Sequence, residues 1–196
     1  KLRNRSRNSY RIILVCFGNF LKKRGYLPKD RPTAFDDMTT WRNEIEPVSI
    51  YTPEEMNAML QQAHVGVLPF IVIGAFAGLR TAEICRLDWS HVRFHRGFIE
   101  CDAGMTKTRS RRLVPISENL RAWLEPLAQA DGPVVNYRNM DQAVRRFHQS
   151  KGMKWKRNAL RHSYISYRLA QVADTARVAL ECGNSPDVIF KHYREL

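Results

Sequence analysis

The sequence holds no CxxC pair. Its four cysteines stand at 16, 85, 101 and 182, too scattered for the paired spacing of a zinc or redox site. Cys16 lies in an apolar run and Cys85 beside apolar neighbours, so both are expected to be buried free thiols in a reducing compartment. No acidic cluster suits a pair of magnesium ions, so neither a metal nor another cofactor is expected. Long apolar runs are missing too. The longest, residues 65–79, is broken by Pro69 and three glycines and is shorter than the roughly 20 residues that span a bilayer. No signal-peptide pattern, internal repeat or low-complexity tract is visible, which argues against a secreted, solenoid or disordered chain. A cytoplasmic protein without a membrane partner is expected.

Acidic residues are scarce. Asp and Glu total 19 against 32 Lys and Arg, a net charge of +13. Such an excess concentrates polyanions at the surface and makes nucleic acid the leading partner. A ribosome-like structural protein or a merely solubilising surface fits the charge as well. Hydrophobic residues at 44% and charged residues at 26% mark a globular chain long enough for a sizeable core.

The chain begins with basic residues, Lys1, Arg3, Arg5, Arg7 and Arg11. Between residues 10 and 26, Ile13, Leu14, Phe17, Phe20 and Leu21 recur at helical spacing and Gly25 ends the run. Residues 27–46 carry two prolines and mixed charge without periodicity, and read as a linker. A boundary is therefore placed at residue 46. Thr52-Pro53-Glu54-Glu55 is a helix start, with Thr as cap, Pro in the first position and Glu three residues on. That helix is expected to reach residue 64, followed by an apolar one over 66–77 and a short one over 81–87. Residues 92–116 turn to short β-rich runs separated by turns, which predicts three antiparallel strands. Further helices are expected over 117–127, 140–150, 158–169, 174–181 and 186–193. The class is mainly α with a small three-stranded antiparallel β-sheet, α+β.

Three basic positions stand apart from the general charge. Arg80, in AGLRTAEICRL, follows an apolar helix and a glycine, which holds it at the edge of the core. An ion pair to Glu83 at i+3 is the structural reading, and such a carboxylate also fixes a guanidinium that grips a ligand. Lys107 lies in a turn with Arg109, Arg111 and Arg112, a cluster typical of phosphate contact. Arg161, in NALRHSYISYRLA, opens a helix whose other face is apolar. Alone, these three support phosphate binding.

The C-terminal stretch ECGNSPDVIFKHYREL decides the reading. The ordered set Arg80, Lys107, Asn158-x-x-Arg161, Gly183-Asn184, Tyr193 resembles the tyrosine recombinases, the phage-type integrases, whose order is Arg, Lys, His-x-x-Arg, Gly-His, Tyr. The resemblance covers residues 50–196 and rests on AGLR-x-x-E-I, on LRHS and on the nine-residue step from Asn184 to Tyr193. It implies the tyrosine-recombinase catalytic fold over residues 47–196. Residues 1–46 are then expected to be the end of an N-terminal DNA-clamping (core-binding) domain plus its linker. It also implies DNA integration or recombination by a mobile genetic element, with Tyr193 forming a covalent 3′-phosphotyrosine and Lys107 protonating the 5′ leaving oxygen. The partners it implies are double-stranded DNA and, at full length, a tetramer on two duplexes. Bacterial or phage origin and a place at the nucleoid follow from the same likeness.

The chemistry of these residue types agrees. Two arginines neutralise a phosphodiester with paired hydrogen bonds that strengthen as charge grows on the non-bridging oxygens. Tyrosine oxygen, with a reference pKa near 10, leaves more easily than an alkoxide, so the phosphotyrosyl bond keeps the energy of the broken link. Two family histidines are replaced, by Asn158 and Asn184. A carboxamide donates a hydrogen bond but exchanges no proton near neutral pH. His162 and His192 are the neighbours placed to stand in, and weakened activity is the expectation. Two alternatives share the motif: a degenerate recombinase that only binds DNA, and a type IB topoisomerase-like enzyme that relaxes it.

Overall fold

The computed structural model describes residues 2–42, 48–105 and 111–193. The chain divides into two compact units, residues 1–46 and 47–196.

The first unit is built on α1 (Asn4–Arg24), which Gly25 ends in a left-handed conformation at φ 80°. The helix starts six residues before the apolar periodicity does, because the basic opening segment is helical as well. Residues 25–42 contain no helix or strand, yet they are not a free linker. Asn8 donates from Nδ2 to the Trp41 carbonyl at 2.7 Å and accepts from Trp41 N at 2.9 Å. Arg11 Nε donates to the Met38 carbonyl at 2.6 Å, and Lys22 pairs with Asp36 at 2.6 Å. Gly18 admits the returning chain: a Cβ there would lie 2.6 Å from Phe35 Cβ. Ile13, Leu14, Phe17 and Phe20 of α1 stay exposed. Cys16 is exposed too, contrary to expectation, since one coil segment covers little of a helix and Gly18 is its one buried residue.

The second unit opens with α2 (Pro53–Gln62), whose capping box is complete: Thr52 Oγ1 accepts from Glu55 N at 3.2 Å while Glu55 accepts from Thr52 N at 2.9 Å. α3 (Leu68–Phe76) is apolar on all sides and buried from Pro69 to Ala75, as a central core helix must be. α4 (Thr81–Ile84) is a single turn. Its inner face is Glu83 and Ile84, which leaves Cys85 on the outer face and exposed, a second correction to the cysteine expectation. The sheet is β1 (Val92–Arg93), β2 (Phe98–Cys101) and β3 (Arg112–Pro115), antiparallel throughout in the order β1-β2-β3, with Val92 opposite Ile99 and Cys101 opposite Arg112. The predicted three strands are therefore present. α5 (Glu118–Leu124) continues as a 3-10 turn to Leu127, and α6 (Met140–Ser150) follows.

The last three helices carry the C-terminal motifs. They are α7 (Ala159–Val172), α8 (Thr175–Cys182) and α9 (Pro186–Tyr193). α7 packs on α3 through two glycines. A Cβ at Gly74 would sit 3.0 Å from Leu160, and one at Gly78, where φ is 63°, would sit 2.3 Å from the Tyr164 ring. Tyr51 N donates to Ser163 Oγ at 2.8 Å and Tyr167 donates to the Tyr51 carbonyl at 2.9 Å, so α7 is fixed along its other side too. α7, α8 and α9 bury Tyr164, Ile165, Val178, Ala179, Cys182, Ile189 and Tyr193 together. Among the described residues, no helix is long and apolar enough to cross a membrane.

Candidate active site

Arg80 leaves α3 at the Gly78 bend and its guanidinium crosses to the α8–α9 turn. Its Nη2 donates to the Gly183 carbonyl at 2.7 Å and to Asn184 Oδ1 at 2.9 Å. Arg161, in the first turn of α7, reaches the same point from the other side. Its Nη2 donates to the Cys182 carbonyl at 2.7 Å and to Asn184 Oδ1 at 3.1 Å, and its Nη1 bonds the Gly78 carbonyl. Residues 80, 161 and 184, far apart in sequence, thus meet at one oxygen atom. Two guanidinium donors on a single neutral oxygen mark a place where charge would be better answered by an anion. Burial, with help from Arg80 and Arg112, lowers the pKa of Arg161 from its ordinary value.

Glu83 fixes this pair from behind. It is 1% exposed and accepts from Arg80 N at 2.8 Å, Arg80 Nη1 at 2.9 Å, and Arg112 Nη1 and Nη2 at 3.1 and 2.7 Å. Burial pushes its carboxyl up, but the bonds from Arg112 and Arg80 outweigh that and hold it below the usual carboxylate range. Arg112 was expected on a DNA-contacting hairpin. Its side chain is instead 9% exposed in the ion pair with Glu83, and its Nε donates to the Glu181 carbonyl at 3.2 Å. The alternation of β3 turns it inward while Arg111 points out to pair with Glu100. Lys107 and Arg109 lie outside the described residues.

Glu181 is a second buried carboxylate that sequence reasoning missed. It binds Arg168 at 2.9 Å from both Nε and Nη2, accepts from Tyr164 at 3.1 Å and receives Arg177 at 3.3 Å. It sits one residue before Cys182, so it anchors the end of α8 whose carbonyls hold the arginines. Its signal in the sequence was the i,i+4 spacing from Arg177.

Tyr193 closes α9 and is 4% exposed. Its hydroxyl is hydrogen-bonded to His162 Nδ1, with ring centroids 5.8 Å apart. Burial pushes the phenol up to about 12, against the lowering influence of Arg161. Burial first, then Arg161 and His192, pushes His162 down from the ordinary histidine value. His192 is exposed. Asn158 caps α7 at φ 56° without a side-chain capping bond, in the left-handed region that asparagine enters more readily than most residues.

Two arginines thus converge on one acceptor, backed by a buried glutamate, with a tyrosine at the end of α9, on a mixed α+β fold. The phage integrase family matches residues 51–195, and the chain belongs to that family. Solved structures share the fold. The Tn1549 transposon integrase in complex with a circular-intermediate DNA superposes with a TM-score of 0.73 at 16% identity, over 98% of this chain and 76% of that one. A lambda integrase dimer bound to a core site gives 0.73 at 12% identity over 94% and 74% of the two chains. The catalytic domain of bacteriophage HP1 integrase gives 0.60 at 18% identity over 75% and 88%. A search of the curated proteins found no match.

Proposed function

We propose that this chain is a site-specific DNA recombinase that cleaves and rejoins strands through a 3′-phosphotyrosine on Tyr193. The observation that carries the reading is the meeting of Arg80 and Arg161 on Asn184 Oδ1. A scissile phosphate entering there replaces the carboxamide oxygen as the shared acceptor and takes paired hydrogen bonds from both guanidinium groups. Asn184 then turns to donate from Nδ2 to a phosphate oxygen. Glu83 keeps Arg80 in place, and Asn158 adds a neutral donor at the entrance to α7. Lys107 supplies the proton to the 5′ leaving oxygen, and no metal or cofactor takes part.

The substrate in this reading is double-stranded DNA. The basic excess supports it, as does a concave surface of about 880 Å³ lined by Tyr137, Arg138, Arg146 and Lys151. Residues 1–46 act as the closing helix of a DNA-clamping domain, and the working assembly is a tetramer on two duplexes in the bacterial cytoplasm.

The test is a covalent adduct. Nicked duplexes randomised about the nick are incubated with the chain and resolved on a denaturing gel. The unmodified chain should give a protein–DNA band and Tyr193→Phe none. Arg80→Ala and Arg161→Ala should lower the yield by about 10²-fold or more each. Binding without any adduct in the unmodified chain would favour a DNA-binding module instead.

A further inference from the structure

We infer that His162 is a catalytic residue of this site, the base that takes the Tyr193 hydroxyl proton during strand cleavage. The inference rests on the recombinase reading and supplies what that reading lacks. Neither Asn158 nor Asn184 accepts a proton near neutral pH. An isolated phenol ionises too rarely to attack, and this one is buried, which makes the anion scarcer still.

The geometry selects His162. Arg161 and His162 are neighbours in the first turn of α7, about 100° apart around the helix. Arg161 turns to the Gly78 and Cys182 carbonyls and Asn184, while His162 turns to α9 and bonds the Tyr193 hydroxyl through Nδ1. One helical turn thus offers the phosphate-gripping group and the proton acceptor side by side. The charged and titratable groups around the imidazole are Arg161 on its own helix, Tyr193 and His192 on α9, and Cys182 of α8 packed beside the phenol. Among the described residues none of these is a carboxylate bonded to the ring, and the neighbouring Arg161 charge disfavours imidazolium. Burial and the Arg161 charge favour the neutral ring, and in the tautomer with its proton on Nε2 the Nδ1 lone pair accepts the Tyr193 hydroxyl.

The step balances. The Tyr193 O–H proton passes to His162 Nδ1 as the phenolic oxygen bonds to phosphorus. The P–O5′ bond breaks, its electron pair stays on the 5′ oxygen, and that oxygen takes a proton from Lys107. In rejoining, the 5′ hydroxyl gives its proton back to Lys107 as its oxygen bonds to phosphorus, the P–O bond to Tyr193 breaks, and His162 returns its proton to the leaving phenolate. An imidazolium disfavoured by Arg161 gives that proton back readily, which suits a reversible reaction.

The experiment uses nicked duplexes carrying sulfur in place of the bridging 5′ oxygen, whose thiolate leaves without a proton, so that only removal of the tyrosine proton is read. Single-turnover adduct formation is followed from pH 5 to 10 for the unmodified chain, His162→Asn and His162→Ala. Asparagine places its amide near Nδ1 and keeps a hydrogen bond without basicity. The unmodified chain should rise to a plateau with a midpoint below the ordinary histidine value of 6.5. His162→Asn should be slower by about 10²-fold or more near pH 7 and should keep climbing with pH towards the phenol's own ionisation. Thermal unfolding and DNA-binding curves like those of the unmodified chain tie the loss to chemistry. A His162→Asn chain that is slower but keeps the plateau and midpoint would overturn the inference. So would an unchanged rate, or a faster His162→Ala, which would mean that the contact merely restrains Tyr193. Absence of an adduct from the unmodified chain at every pH contradicts the recombinase reading itself, which separates the two failures.

Discussion

Asn184 answers two guanidinium groups with one neutral oxygen, while Glu83 answers two with a full charge. That contrast sets the predictions for single residues. Glu83 is the electrostatic anchor, and Glu83→Gln should destabilise the fold by on the order of 3 kcal/mol in urea unfolding at pH 7. Its folded pKa lies below the ordinary glutamate value of 4.5. The linked stabilisation is therefore complete above that value and is lost as pH falls through the folded pKa. The stability gap between the unmodified chain and Glu83→Gln should accordingly shrink from pH 7 to pH 3, and a constant gap would remove Glu83 from this role. Asn158 stands at φ 56°, a conformation that histidine also tolerates, so Asn158→His should fold. With His162 as the base, as its contact to the Tyr193 hydroxyl implies, Asn158→His should leave the rate of adduct formation near pH 7 unchanged, and a several-fold acceleration would route the proton through position 158 instead.

The glycine between α3 and α4 shows how elements make the site. Gly78 needs a positive φ and leaves no room beside Tyr164, and its carbonyl holds Arg161. Gly78→Ala should cost about 3 kcal/mol or more and should lower phosphate affinity as well, measured with inorganic phosphate by calorimetry. Loss of stability alone would separate the bend from the arginines. The elements themselves were largely legible. Capping chemistry at Thr52 and the β-rich runs after residue 92 revealed helix and strands because they are local signals. The pairing of Arg80 with Glu83 was legible for the same reason, through its i,i+3 spacing. Arg112 was not. Whether a strand residue faces in or out depends on register against Cys101, which a basic run conceals. The Tyr193–His162 contact was hidden for a different reason, since it depends on how α9 packs across α7. The cysteines at 16 and 85 were misplaced because apolar neighbours in sequence do not say which face of a helix is covered.

At the scale of the whole molecule, the charge of +13 sets how the chain meets its substrate. Arg146 and Lys151 line the concave surface beside Tyr137. If both touch phosphates, the double change Arg146→Ala with Lys151→Ala should weaken duplex binding and reduce the slope of log K against log salt by about 2. An unchanged slope would put the DNA elsewhere. Whether Tyr193 carries a DNA strand through its 3′ phosphate is read by mass spectrometry of the covalent adduct after nuclease and protease digestion. The expected product is a nucleotide joined through a 3′-phosphate to the peptide that contains Tyr193, with no adduct from Tyr193→Phe. A nucleotide on any other residue, or an adduct that survives in Tyr193→Phe, would contradict this role of Tyr193.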